Sequence, residues 1–343
     1  MNKRYLKVVC AFASITILVL FILVACTSTE PELQPINPGL EYIPYTPTST
    51  PTPHYESTPQ AQPQHQAITE DREGNPITLP ANINRIISIG PSNTEILSAL
   101  GLLDMVIATD DHSINLPNIN SGIPAFDMMS LDGEQIINLE PDVIFITGMS
   151  RGGGGNPLQL VSDVGICVIF IPISSSIAGI KEDIRFISTV MDVLPQGEEI
   201  IAEMEREIET FRAIGITIPE EERKTVYVEV YPAPWLVSFG TGVFMHELLE
   251  IIGASNMLGD LEGWTVVSDE TVLDLNPCVI LTTVDFLDDP IGEIASRPGW
   301  NQIPAVQNGN VFVIDANASS RPSQNIIIAL REMATAIYPE FFE

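Results

Sequence analysis

The chain has 343 residues, 45% of them hydrophobic, which is enough apolar material for two cores of ordinary size. Its 45 acidic residues against 15 basic ones give a formal charge of −30 at pH 7. A surface of that sign repels phosphate backbones, so nucleic acid is not an expected partner.

At the N-terminus Lys3, Arg4 and Lys7 precede an apolar run from Val8 to Val24, and Leu23-Val24-Ala25-Cys26 sets small residues before a cysteine. This resembles the lipobox of bacterial lipoproteins. Residues 1–25 are therefore expected to be a signal peptide and Cys26 the lipidated residue, holding the folded part outside the cytoplasm, at the cell surface or in a periplasm. An uncleaved membrane anchor is the alternative. Residues 26–66 are rich in Pro, Thr, Ser and Gln, with too few apolar side chains to offset the ordering entropy of a core, and predict an extended tether. His54 and His65 lie in it as solvated linker residues. Cys167 and Cys278 sit in separate strand-like apolar runs, which predicts two buried free thiols rather than a disulfide.

From residue 67 to 194 short apolar strands alternate with amphipathic helices. A small hairpin (ITEDREGNPITLP) leads into Ile86, Ile87 and Ile89, a Gly90-Pro91 turn, and a helix carrying Ile96, Leu97 and Leu100. MVIATDD, VIFITG (143–148) and ICVIFIP (166–172) follow as strands. This alternation predicts βαβ units and a mostly parallel sheet. Residues 195–214 then read as one long helix: Ile200, Ile201, Met204, Ile208, Phe211 and Ile214 recur at steps of three and four, Pro195 suits its first turn and Gly215 its end. Beyond it, residues 215–343 repeat the alternation, with strands at 225–230, 279–283 and 311–315 and helices at 242–252, 269–275, 290–296 and 323–337. The fold class is α/β: two Rossmann-like lobes with mostly parallel sheets, joined by a single interlobe helix. A cleft between two such lobes is the expected ligand site.

RIISIGPSNTEILSALGLLDMVIATDD, GEQIINLEPDVIFITG, GTGVFMHELLEIIGASNM and SDETVLDLNPCVILTT follow one another in an order that resembles the substrate-binding proteins of ABC importers for cobalamin, ferric siderophores and haem. The resemblance covers roughly residues 80–338. It implies a monomeric receptor, without enzymatic activity or a cofactor, that captures a metal chelate and delivers it to an ABC permease and, through it, the ATPase. It also implies that Glu134 and Glu270, one on each lobe, dock on permease arginines. Both glutamates also stand near helix starts, where the dipole favours them. The matching ligand positions are Asp110, Asp111 and His112, then Phe126, then Met149 and Arg151 in the first lobe, and Trp235, Trp264 and Arg321 in the second. The tryptophans suit a large flat ligand, and the arginines a carboxylate or phosphate on it, or a neighbouring acid. Few aromatic residues stand in the first-lobe loops, a departure from the cobalamin-binding members.

Two other chemistries are open. A bare Zn or Mn ion could draw on Asp110, Asp111 and His112, although the folded part offers only one further histidine, His246. Gly148-x-Ser150-x-Gly152 after a strand matches a hydrolase nucleophile elbow, but a glycine run and Asn156-Pro157 intervene where a helix should begin.

Overall fold

A computed structural model describes residues 68–151 and 156–342; the expected signal peptide, Cys26, the tether and Gly152 lie outside these residues. The first lobe is built from β1 (Ile86–Ile89), α1 (Pro91–Ala99), β2 (Val106–Asp110), β3 (Ala125–Phe126), α2 (Gly133–Asn138), β4 (Val143–Thr147), α3 (Gln159–Asp163), β5 (Cys167–Ile171) and α4 (Ile177–Val190). Its sheet runs β3-β2-β1-β4-β5 with every pair parallel. β-branched and aromatic residues dominate β1, β4 and β5, and all fourteen of their positions are buried, as a sheet covered by helices on both faces requires. Because the strands are parallel, Ile89, Asp110, Phe126, Thr147 and Ile171 end along one edge.

The segment before β1 forms a single antiparallel bridge, Glu70 with Pro76, rather than a hairpin. Buried Asp71 shapes it. Its carboxylate accepts hydrogen bonds from the backbone N–H groups of Glu73 and Asn75, and one from Phe170 N–H at 3.0 Å, which pins the turn to β5.

The long helix α5 (Leu194–Gly215) has 22 residues, about 33 Å at 1.5 Å per residue. It buries Ile201, Met204 and Ile208 and exposes a row of glutamates. Two glycines fix its ends. A Cβ on Gly197 would strike the Ser188 side chain of α4, and one on Gly215 would strike the Ile251 carbonyl oxygen in the second lobe.

The second lobe continues with β6 (Thr225–Glu229), β7 (Val237–Phe239), α6 (Phe244–Ile251), β8 (Ser255–Asn256), β9 (Trp264–Val266), α7 (Asp269–Leu275), β10 (Val279–Thr282), α8 (Pro290–Ser296), α9 (Pro304–Gln307), β11 (Val311–Val313), α10 (Ala316–Ser320), α11 (Ile326–Ile337) and α12 (Pro339–Phe342). The parallel sheet runs β11-β10-β6-β8, and β7 pairs with β9 in a separate antiparallel ribbon. One apolar cluster passes from the first lobe through Ile201, Met204 and Ile208 into the second. Two smaller clusters cover the opposite sheet faces, one around Ile87, Ile144 and Phe170, the other around Tyr227, Ile280 and Trp300. Cys167 is buried, whereas Cys278 is exposed, against the expectation of two core thiols. It immediately precedes β10, and its neighbour Val279 takes the inward place.

Candidate functional site

The loops leaving the carboxyl edges of the two sheets meet across the lobes. After β11, Arg321 donates to the His112 carbonyl at 3.3 Å, and His112 follows β2 of the first lobe. In parallel α/β sheets this edge is where ligands bind, because the helices there start with unpaired N–H groups and the loops are free to vary.

On the first-lobe side Asp110 is wholly buried. Its Oδ2 accepts from Gly90 N–H at 3.0 Å and from the Ser113 hydroxyl at 2.7 Å, and its Oδ1 accepts from His112 N–H. The carboxylate ties the ends of β1 and β2 together with both oxygens occupied and no exposed surface, against the expectation of a ligand contact. Phe126 is also a correction: its ring is 7% exposed and belongs to the cluster with Ile87 and Ile89, because β3 turns it into the sheet. Asp111 and His112 are exposed neighbours 3.8 Å apart, and Met149 is exposed on the short 3₁₀ turn Gly148–Arg151.

Both candidate arginines are engaged by glutamates. Arg151 donates from Nε to Glu73 at 2.7 Å, places Nη2 at 2.7 Å from the same oxygen, and stacks its guanidinium 3.6 Å over the Phe170 ring. Arg321 donates to Glu95 Oε1 at 2.8 Å. Glu95, on α1, is 3% exposed. It accepts as well from the Ser323 hydroxyl at 2.5 Å and Asn325 Nδ2 at 2.9 Å, and its carbonyl accepts from Gln324 Nε2. One first-lobe carboxylate thus holds three side chains of the second lobe, and the backbone carbonyl of the same residue holds a fourth.

On the second-lobe side Trp235 stands 57% exposed at the tip of the turn between β6 and β7. Phe286, half-exposed after β10, lies 5.8 Å from Tyr231 in that turn. Trp264 is farther back. It pairs with Phe239 at the base of the β7–β9 ribbon and meets its ring edge-to-face at 5.8 Å, while Val266 pairs with Val237 nearer the tip. Tyr231 and Phe286 thus form an aromatic pair beside the turn that carries Trp235, and Trp264, 42% exposed, stands on the neighbouring ribbon. Phe286 and the exposed Ile173 after β5 escaped the sequence reading, although an apolar residue just past a strand's carboxyl end was the available signal.

Glu134 and Glu270 are each the second residue of a helix, α2 and α7, and both are exposed. Asp132 and Ser268 cap those helices through side-chain oxygens. α2 follows β3 and feeds β4, and α7 follows β9 of the ribbon and feeds β10, so each glutamate stands at the start of a helix that leads into the amino end of a parallel strand. Hydrogen bonds from its own backbone N–H, and then from the Ser268 hydroxyl, hold the Glu270 carboxyl below the usual range.

The remaining chemistries find no geometry. Among the described residues no group of three or more His, Cys, Asp or Glu converges as a metal site. Ser150 Oγ is buried without a hydrogen-bond partner among the described residues, and His246 sits on α6 beside Asn256 Nδ2 at 3.2 Å and Glu250 at 3.5 Å. A nucleophile and its base are not paired.

Two parallel α/β lobes joined by one helix, with opposed carboxyl edges, define a two-lobed solute-binding protein. The chain belongs to the periplasmic binding protein family, whose model matches residues 86–318. It is 28% identical over 274 residues to the uncharacterized ABC transporter substrate-binding lipoprotein YvrC of Bacillus subtilis, covering 80% of this chain and 86% of that one. The molybdate-binding protein MolA of Haemophilus influenzae is 25% identical over 312 residues, covering 80% and 86%. A solved structure of a possible iron-binding periplasmic solute-binding protein from Staphylococcus epidermidis superposes with a TM-score of 0.66 at 28% identity, covering 75% of this chain and 99% of that one. The chain is thus an extracytoplasmic substrate-binding protein of the ABC-transporter type, in a family of solute binders rather than enzymes. Among the described residues no helix is long and apolar enough to cross a membrane.

Proposed function

We propose that this protein is a lipid-anchored receptor, held by Cys26, that captures a metal chelate between its lobes and delivers it to an ABC permease through Glu134 and Glu270. The observation that carries this reading is the exposure of Trp235 and of Phe286, with Tyr231 beside it, on loops leaving one carboxyl edge, and of Met149 and Ile173 on loops leaving the other. Flat apolar and aromatic surfaces suit a corrin, a porphyrin or the ligand shell of a ferric siderophore, and offer nothing to a bare ion. The matched placement of two exposed glutamates at helix starts supports docking on a basic surface, because two separated charges fix the register of a two-lobed body. The vitamin B12-binding protein of Vibrio parahaemolyticus, 23% identical over 253 residues, covering 73% of this chain and 88% of that one, is compatible with a corrinoid as one candidate.

The test has two arms. Tryptophan fluorescence of the protein is titrated with cobalamin, haem, ferric siderophores and Zn or Mn salts, and one chelate quenches saturably while bare ions do not. In cells the Glu134→Lys, Glu270→Lys double variant loses uptake yet binds that chelate with unchanged affinity; uptake at the unaltered rate removes the docking role.

A further inference from the structure

We infer that the ligand carries no net negative charge: the cleft admits a neutral or cationic metal chelate and turns anionic chelates away. This rests on the receptor reading above and narrows its ligand class.

Anion binding in a cleft needs a cation free to face the ligand. Arg151 and Arg321 are the described arginine and lysine residues on the loops that leave the carboxyl edges, and the one described histidine there, His112, has Asp111 3.8 Å from its Nε2. Each is already neutralised inside the protein, Arg151 by Glu73 and by the Phe170 ring, Arg321 by buried Glu95. An incoming carboxylate would have to displace a partner that the fold holds at high effective concentration, and in the case of Glu95 would strand a buried charge. The other bases lie elsewhere. Arg85 and Lys224 precede β1 and β6, at the amino edges, and Arg297 is buried between Glu229 and Glu293.

The same loops carry exposed carboxylates. Asp111 and Asp127 follow β2 and β3, and Asp285, Asp288 and Asp289 follow β10, so both lobes present negative charge at the mouth. The long-range field has the same sign, given the net charge of −30. An acidic rim around an aromatic floor attracts an ammonium or a metal complex of positive charge and repels propionates, catecholates and oxyanions.

The experiment uses two matched series on the full-length protein in detergent. One is a ferric trihydroxamate with a terminal ammonium, its acetylated neutral form and its succinylated anionic form. The other is aquocobalamin, cyanocobalamin and a cyanocobalamin monocarboxylic acid, with haem, a ferric tris-catecholate and molybdate alongside. The expected result is that within the series that binds, the cationic and neutral members bind at least about tenfold tighter than the anionic one, and that added salt narrows the gap. Equal or tighter binding of an anionic member, or saturable binding of haem, the tris-catecholate or molybdate, overturns the inference while the receptor reading stands. Binding by none of the chelates overturns the receptor reading and this inference with it. A second readout is Glu73→Gln, which unmasks Arg151. It raises the affinity of the anionic member relative to the neutral one, and an unchanged ratio overturns the masking on which the inference stands.

Discussion

Glu95 on α1 and Arg321 beyond α10, 226 residues apart in the chain, close on each other at 2.8 Å and join the two lobes directly. Removing the Glu95 side chain leaves the largely covered Arg321 guanidinium without its carboxylate and two further donors, Ser323 and Asn325, without their acceptor. Glu95→Ala is expected to lower the unfolding free energy by about 3–5 kcal/mol, read from urea denaturation. Glu95→Gln still accepts from Ser323 and Asn325 and loses less. Equal losses in the two variants would show that the charge at this joint is immaterial.

The two tryptophans flanking the ribbon make different predictions. Trp235 projects from the turn tip, and its truncation to Ala weakens chelate binding by roughly 1–3 kcal/mol, about five- to 150-fold in Kd. Trp264 braces Phe239, so Trp264→Ala lowers thermal stability with a smaller effect on Kd. Isothermal titration and a melting curve on each variant separate these outcomes; the reverse ranking would move the ligand wall to the β7–β9 ribbon.

Acidity enters through Asp183 of α4. Burial pushes its carboxyl above the usual range, partly offset by the Ser174 hydroxyl at 2.5 Å and by Arg72 at 2.8 Å. A folded-state value above the unfolded one means that the folded protein holds the proton more tightly. This group's contribution is therefore fully present below the ordinary Asp value, and is lost as pH rises through the raised folded value. Urea midpoints of the native protein should fall relative to those of Asp183→Asn as pH increases across that window. Parallel curves would place Asp183 with its ordinary acidity.

The thiols offer a simpler check. Burial, with Asp71 nearby, pushes Cys167 up to about 11, while Cys278 is exposed. In a fragment beginning at Ile68, the start of the compact unit, a thiol reagent at neutral pH modifies Cys278 quickly and Cys167 only on unfolding.

The strands with continuous β-branched runs were readable before any coordinates. Ile86–Ile89, Val143–Thr147, Cys167–Ile171 and Val279–Thr282 are buried on both faces, and their composition announces it. The long helix was equally plain, from its stripe and its terminal Pro and Gly. Ala125–Phe126 and Ser255–Asn256 were not, because two-residue edge strands are defined by their neighbours and carry no period of their own. Nor were the β7 and β9 strands, three residues each, whose pairing depends on a turn reached only in three dimensions. At the site the order of loops was legible but the direction of side chains was not. Asp110 and Phe126 stand at the right strand ends and face inward, and nothing in their identity says so. The partners of the arginines were invisible for a different reason. Glu73 is 78 residues from Arg151, and Glu95 is 226 from Arg321, so only the fold could introduce them.

The glycines at the two ends of α5 carry one more implication. With Gly197 seated against Ser188 and Gly215 against the Ile251 backbone, neither end of the rod has a loose joint at which one half of the molecule could swing. Relative movement must come from slight flexing along the rod itself, against the Glu95 clasp on the far side. The two halves are therefore braced at both ends of the rod and clasped across from it, a body built to keep one spacing between its sheets.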